Sequence, residues 1–264
     1  MNKNGMRTPL LFVGHGNPMN AISDNIYSRM WEKIGKSLAP PKAIVCFSAH
    51  WLTSGSFVTC KSNPEIIYDF YGFPEELYNV KYPVAGDEHL AKTISQTEKT
   101  IRLDTKWGID HGTWSVLKRM FPKANIPVLQ ISVDYSAPPE IQFELIKKLK
   151  GMREEGILFI GSGNIVHNLP LAAMNSKPYD WAIEFEEICR KLIEKKDFAS
   201  LIHYEQLGAS SRLAVPTDDH YRPMLNTLAL AYEDEEPSFF NRGIDLGSVS
   251  MLSFIMQTPG NNPF

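Results

Sequence analysis

The sequence is poor in cysteine, has no excess of charge of one sign and contains no long apolar run. Its three cysteines are an odd number without metal-binding spacing, so we expect no disulfide framework and a reducing, cytoplasmic location. The 27 basic and 30 acidic residues leave a net charge of −3, which does not favour nucleic-acid binding. No apolar run reaches the ~18 residues of a membrane-spanning helix, and residues 1–9 lack the core of a secretory signal. We therefore expect no nucleic-acid partner and no membrane segment.

The composition instead favours a globular protein with a substantial core. The chain has 264 residues, of which 43% are hydrophobic and 22% charged, as is usual for folded domains. Short apolar runs predict strands at 9–13, 43–47, 55–60, 101–103, 126–132, 156–160 and 247–256. Segments with helical spacing alternate with them at 26–38, 86–97, 115–120, 138–150, 180–195 and 223–231. This alternation predicts an α/β fold, with a largely parallel central sheet flanked by helices in a single domain over residues 1–264.

Residues 62–84, which we refer to as the aromatic loop, break the alternation. The segment is dense in tyrosine, phenylalanine and proline and has no regular period, so we expect a long ordered loop. Loops of this kind often cover a site or bind a ligand. An aromatic loop that fills a gap in the core is an equally good interpretation of the same residues.

Three of the seven histidines follow predicted strands: His15, His50 and His167. In an open α/β sheet, ligands bind beyond the carboxyl ends of the strands, so residues at these places can meet although they are far apart in sequence. Neutral imidazole is the commonest protein ligand of first-row metals. A site rich in histidine and poor in carboxylate suits Fe, Zn, Cu or Ni better than Mg or Ca. The pattern therefore indicates a metal site at one end of the sheet.

Each histidine also has an ordinary interpretation when it is taken alone. His15 fits a glycine-rich turn, and His50 fits a cap or core position. His111 fits a loop packed between tryptophans, while His167 and His220 fit the starts of helices. The shared placement of His15, His50 and His167 after strands, rather than any one position, favours the metal site.

Several well-known motifs are missing. The sequence has no HExxH, CxxC, EF-hand or Walker pattern, and its GxG segments at 14–16 and 161–163 do not extend to GxGxxG. The GSG at 161–163 also lacks the GxSxG nucleophile elbow of hydrolases. His89 and His203 lie in or after predicted surface helices, and we expect them to be solvated or packed side chains.

Five ordered motifs nevertheless resemble those of a known family. They are GHGNPM at 14–19, SAHW at 48–51, DHGTW at 110–114, GSGN at 161–164 with HNL at 167–169, and DHYRP at 219–223. These segments resemble the class III extradiol ring-cleavage dioxygenases, and among them the DOPA 4,5-dioxygenase-like branch of bacteria and plants. The resemblance covers essentially the whole chain. It implies an α/β sheet fold with a mononuclear non-haem metal in a pocket at one sheet end.

The resemblance also implies roles for the histidines. His15 and His50 would be metal ligands, with His220 as the third where the protocatechuate-cleaving branch has a glutamate. His167 matches the acid–base histidine and is a candidate fourth ligand, and His111 matches a pocket histidine that orients substrate or oxygen. Fe(II) is the metal expected for activity, whereas Zn(II) can occupy the same ligands in purified protein without redox chemistry. Three neutral histidines would make the site more positive than one with a carboxylate, which favours a dianionic catecholate.

The implied reaction inserts O2 next to the hydroxyls of a catechol such as L-DOPA, to give a muconic semialdehyde-type seco product. Its partners are the catechol and O2, and the sequence specifies no oligomeric state. Residues 68–82 can stack on an aromatic ring. Tyr221 and Arg222 are candidate substrate contacts, with Arg222 either the partner of an amino-acid carboxylate or, equally, a surface or helix-start cation. Two alternatives stay open: a zinc hydrolase with His167 as base, and an inactive metal-binding scaffold, against which the intact motifs argue.

Overall fold

The computed structural model describes residues 7–260. Ten strands lie in this part of the chain: β1 (Leu10–Gly14), β2 (Ala43–Thr53), β3 (Phe57–Thr59), β4 (Arg102–Asp104), β5 (Val128–Asp134), β6 (Ile157–Gly163), β7 (Glu236–Phe240), β8 (Ile244–Asp245), β9 (Val249–Ser250) and β10 (Ser253–Gln257).

Nine α-helices lie within the same residues, together with short 3-10 turns. The helices are α1 (Ile26–Ser37), α2 (Glu75–Tyr78), α3 (Glu88–Thr97), α4 (His111–Met120), α5 (Pro139–Lys147), α6 (Asp180–Lys195), α7 (Phe198–Ile202), α8 (Ala209–Ala214) and α9 (Arg222–Leu228). The 3-10 turns are Pro18–Ala21, Lys150–Arg153, Leu169–Leu171 and Tyr204–Gln206. Across residues 7–260, each helix is too short or too polar to span a bilayer.

An eight-stranded sheet in the order β4–β3–β5–β2–β6–β1–β10–β7 forms the centre of the fold. Strands β5, β2, β6 and β1 are parallel neighbours, and β4 is parallel to β3. Antiparallel pairs join β3 to β5 and β10 to both β1 and β7. The central strands are nearly continuous apolar runs because helices and loops cover both faces. The predicted α/β fold with a largely parallel central sheet is confirmed.

Alternate residues of β1 face opposite sides of the sheet, as the twofold period of a strand requires. Leu10 and Phe12 belong to one buried cluster, which also takes in α3, α5, α6 and α9. Leu11 and Val13 belong to the other cluster, which takes in α1, α4 and the aromatic loop. The sheet therefore separates two buried cores, one on each of its faces.

Two predicted strands differ most from the structure in their boundaries. The predicted strand 247–256 is divided into β9, which pairs with β8, and β10 in the main sheet, because the chain leaves the ladder between them. Strand β2 continues well beyond the apolar run 43–47, across a register shift between Phe47 and Leu52. His50 consequently lies within β2 rather than after it. A register irregularity re-aims the side chains of its strand, which the apolar pattern does not reveal.

The order of the strands brings the histidine segments to one edge. Strand β6 lies between β1 and β2, so Gly14 pairs with Gly163 and Ser48 pairs with Ser162. A Cβ on Gly163 would lie 2.2 Å from the carbonyl oxygen of His220, so only glycine lets that segment pack against the strand end. The carboxyl ends of β1, β2 and β6 thus share one edge with the segment before α9.

Candidate metal centre

Five of the seven histidines meet at the carboxyl edge of the sheet. The ring centroids of His15, His50 and His220 form a nearly equilateral triangle with sides of 5.1, 5.3 and 5.1 Å. His111 lies 3.9 Å from His50, and the ring of His167 stacks on that of His220 at 3.5 Å. The structure therefore brings together every histidine that the resemblance assigned to a site.

The remaining two histidines lie elsewhere and are exposed. His89 lies on the solvent side of α3. His203 follows α7, and its Nδ1 lies 3.1 Å from Glu140. Both positions agree with the expectation of solvated side chains.

The Nδ1 atoms of the three triangle histidines each face a protein oxygen. His15 Nδ1 lies 3.0 Å from Ser162 Oγ, which itself donates to the carbonyl of Gly112. Because that hydroxyl proton is already used, Oγ accepts the Nδ1 proton of His15. His50 Nδ1 lies 3.2 Å from Asp69 Oδ2, and His220 Nδ1 lies 2.5 Å from Asp219 Oδ2. A carboxylate only accepts, so these neighbours favour the tautomer of each ring that has its proton on Nδ1 and a free lone pair on Nε2.

The Nε2 atoms that remain face one another. His15 Nε2 and His50 Nε2 are 3.3 Å apart. With both protons on Nδ1, this contact opposes two lone pairs, and they repel unless a cation lies between them. The arrangement fits a first-row metal ion, because such ions bind neutral imidazole nitrogens.

Burial keeps the imidazoles of His15 and His50 neutral. It lowers the pKa of His15 well below the usual range, and the neighbouring His220 and His111 lower that pKa further. Burial lowers the pKa of His50 in the same way, followed by the effect of His111. Neutral rings are the form that coordinates a metal.

The pKa of His167, whose ring stacks on His220, is lowered in a similar way but by less. Burial, followed by the nearby His220, lowers the pKa of His167 to about 3, although Asp219 works in the opposite direction. Burial by itself would raise the pKa of Asp219, but the hydrogen bond and charge of His220 outweigh it and hold that pKa well below its usual value. Asp219 is therefore an anion that lies beside the neutral imidazole of His167 and forms a hydrogen bond with His220.

A second carboxylate holds the start of α4 against β2. Asp110 is fully buried and caps α4, and it accepts hydrogen bonds from Ser48 Oγ and Gln130 Nε2, both at 2.6 Å. Burial, followed by the charge of Asp69, raises its pKa. A Cβ on Gly112 would lie 2.8 Å from His50 Cδ2, so the glycine of the DHGTW motif lets the helix start approach the imidazoles. The motif around His111 is therefore explained by packing as well as by chemistry.

The side chains of Tyr221 and Arg222 form hydrogen bonds with backbone carbonyls and with Asp218. Tyr221 is buried, and its hydroxyl donates to the carbonyl of Leu201 at 3.0 Å. Arg222 donates from Nε to Asp218 at 2.6 Å and from Nη1 to two backbone carbonyls, at 2.5 and 2.8 Å. These contacts stabilise the start of α9. Substrate binding by the two residues stays a prediction.

The aromatic loop contributes both core and site residues. Phe70 is buried and meets His111 edge to face at 5.4 Å, and Tyr68 donates to the carbonyl of Val80. Between them, Asp69 reaches His50 and His111. Asp69 was not predicted as a site residue, because the surrounding aromatic residues dominate the pattern of this segment. The signal that could have found it is a lone carboxylate in a loop expected at the site.

Comparisons with known proteins agree with this geometry. The family model described as the catalytic LigB subunit of aromatic ring-opening dioxygenase matches residues 10–245. The 4,5-DOPA dioxygenase extradiol of Escherichia coli (strain K12) is 42% identical over 94% of both chains. The protein of the same name from Beta vulgaris is 32% identical over 92% of this chain and 94% of its own.

A solved structure supports the same relationship. The crystal structure of an uncharacterized protein from Escherichia coli K12 has a TM-score of 0.82 and 38% identity, and the match covers 94% of this chain and 99% of that one. The chain therefore belongs to the LigB family of extradiol dioxygenases, oxidoreductases that use a non-haem metal held by histidine residues.

Proposed function

We propose that the protein cleaves the ring of L-DOPA or a similar catechol, by inserting O2 next to the hydroxyls to give a muconic semialdehyde-type product. The observation that carries the proposal is the set of three imidazoles whose Nδ1 atoms face protein oxygens, with the Nε2 atoms of His15 and His50 3.3 Å apart. The dioxygenases of E. coli and Beta vulgaris named for DOPA support this choice of substrate.

We assign the metal ligands as His15, His50 and His220. Two residues compete for the third place, because the donor atoms of His111 lie within 4.8 Å of those of His15 and His50, whereas His220 falls in a second such group with His167 and Asp219. With metal–nitrogen bonds of about 2.1 Å, the centroids of rings that share one ion lie about 5 Å apart. The spacings to His220 meet this value, whereas 3.9 Å between His50 and His111 is too short. The ring spacing supports His220, and His111 and His167 remain free for other tasks.

The metal that we propose is iron. Fe(II) supplies open coordination positions and redox chemistry for a catechol and O2, and Zn(II) in the same ligands lacks the redox chemistry. Among residues 7–260 all three cysteines are free and buried, which supports a reducing compartment, and we place the protein in the cytoplasm.

We propose that His167 transfers a proton during the reaction. Its imidazole is neutral at pH 7 and stacks on His220, so it is placed at the edge of the site and can accept a proton from a catechol hydroxyl. A catecholate anion beside the ring favours the protonated imidazole and raises its pKa from the low value of the free protein. The same nitrogen then returns the proton to the product.

His111 is the residue that we propose to orient the substrate or O2. Its Nδ1 faces Asp69, and its ring lies against both His50 and the buried Phe70. These contacts hold the ring on the aromatic-loop side of the triangle, opposite His167. A substrate bound at the triangle would then lie between a proton-transferring and an orienting imidazole.

Anaerobic loading with Fe(II), followed by addition of L-DOPA and then air, tests the proposal. We expect O2 uptake together with a yellow ring-opened product, and we expect His167→Ala to lose at least about 100-fold in rate, the scale of general acid–base catalysis. His203→Ala, at an exposed histidine, is the control and should keep full activity. Iron-loaded protein that consumes no O2 with L-DOPA or a panel of simple catechols would refute the assignment. The zinc-hydrolase alternative is not favoured, because the matched family and the named relatives are dioxygenases.

A further inference from the structure

We propose that Asp69 is a positioning residue shared by two histidines, one that binds the metal and one that orients the substrate. The inference rests on the proposed function for the roles of His50 and His111. Its structural basis is a single carboxylate in the aromatic loop that faces imidazoles from two other elements, β2 and α4.

The contacts of Asp69 divide between its two oxygens. Oδ1 accepts a hydrogen bond from the backbone N–H of His111 at 3.0 Å. Oδ2 lies 3.2 Å from His50 Nδ1 and 3.0 Å from His111 Nδ1, and it is shielded from solvent. Neither ring is fully aligned with Oδ2 as a hydrogen-bond donor, as expected for one oxygen shared between two rings. The two imidazoles therefore depend on the same atom.

This arrangement fixes the proton positions on both rings. A carboxylate accepts only, so His50 and His111 each carry a proton on the Nδ1 that faces it, and each keeps a lone pair on Nε2. A carboxylate behind a metal-binding histidine orients the ring and increases its basicity. Asp69 also places a negative charge beside a proposed ligand set made only of imidazoles. It therefore replaces part of the charge that a carboxylate ligand would bring.

The aromatic loop holds Asp69 independently of the histidines. The backbone N–H of Ile67 donates to Ile109 at 2.7 Å, and Trp114 Nε1 donates to the carbonyl of Ile67 at 2.9 Å. On the other side of Asp69, buried Phe70 packs against Trp114. These anchors do not involve the carboxylate, so an isosteric Asp69→Asn change should leave the loop in place.

The test compares Asp69→Asn with Asp24→Asn, a control at a side chain that is 74% exposed. Zn2+ and Co2+ affinities are measured by competition with a chelator, and the visible spectrum of the Co2+ form is recorded. We expect Asp69→Asn to lose about 10–100-fold in metal affinity, as for other residues behind metal ligands, and to change the Co2+ spectrum. The melting temperature should stay near that of the control. With Fe2+ at saturation, kcat should still be lower than in the control, because His111 is displaced as well.

The outcomes separate this inference from the proposed function. Metal binding requires no catechol, so a protein inactive on every catechol that still loses metal affinity in Asp69→Asn would keep the inference and refute the function. Unchanged affinity, spectrum and kcat in Asp69→Asn would overturn the inference, because they would leave Asp69 a packing role only.

A second measurement covers a variant that fails to fold. In zinc-loaded wild-type protein, the imidazole 15N spectrum should show His50 and His111 with their protons on Nδ1. An Nε2-protonated ring at either position would overturn the inference.

Discussion

The two sides of the histidine cluster are held by carboxylates in different ways. On one side, Asp219 forms a hydrogen bond with the adjacent His220, and both residues belong to the DHYRP motif. On the other side, Asp69 comes from a loop 42 residues before His111 and serves that residue and His50 together. The first arrangement is local and can be recognised in the sequence. The second exists only after the aromatic loop has packed against α4.

The comparison also shows how the site distributes charge. His15, the third corner of the triangle, is held by the neutral hydroxyl of Ser162. The two flanks each carry one carboxylate, behind His50 and His220. The ligand set that we propose has no carboxylate, and two carboxylates lie behind its rings. The following predictions test whether the two flanks contribute as this geometry indicates.

The largest expected effect separates the two candidates for the third ligand. His220→Ala should lose more than about 100-fold in Zn2+ affinity. The removal of a ligand should cost more than the removal of a residue behind a ligand, for which the loss is typically about 10–100-fold. His111→Ala should lose less than about 10-fold in affinity while kcat falls, because that ring is assigned to the substrate. Chelator competition and O2-uptake kinetics measure the two quantities. If His111→Ala lost more metal affinity than His220→Ala, His111 and not His220 would be the third ligand.

The next effect concerns the two carboxylates. Asp219→Asn should lower Zn2+ affinity by about 10–100-fold, through His220 alone. Combined with Asp69→Asn, the two losses should add to within about 0.5 kcal/mol, because the carboxylates contact different rings. A double-mutant cycle on metal affinity makes this comparison. Strong coupling between them would mean that the two flanks respond as one unit.

The smallest effect is on the stability of the metal-free protein. The folded-state pKa of His167 lies at about 3, below that of the unfolded chain near 6.5. The unfolded state therefore binds more protons, so the free energy of unfolding is largest above pH 6.5 and falls as the pH drops toward 3. His167→Gln should reduce this slope by at most about 1.4 kcal/mol per pH unit. Urea unfolding of both proteins at pH 5 and 7.5 measures the pH dependence of the free energy of unfolding. The same pH dependence in the variant and the wild type would contradict the burial of this imidazole.

The sequence predicted the parts of the site that depend on local patterns. The apolar runs of β1, β2 and β6 indicated a parallel sheet, and the positions of His15 and His167 after such runs indicated a shared edge. Both strand–turn segments are continuous in the chain, so their pattern carries the information.

Other parts depend on contacts that no local pattern records. The extension of β2 through His50 follows from a register shift against β5, and the split between β9 and β10 follows from pairing with β8. Asp69 reaches the site because Phe70 and Ile67 pack near α4. These features arise from tertiary packing, which the residues of each segment do not encode by themselves.

The most direct test of the account is the position of the metal in the protein. A crystal structure of the zinc-loaded protein, with anomalous data at the zinc edge, locates the ion and its ligands. We predict one ion bound at about 2.0–2.1 Å by the Nε2 atoms of His15, His50 and His220, with Asp69 and Asp219 behind the rings. An ion bound through any Nδ1, or directly by either carboxylate, would contradict the account.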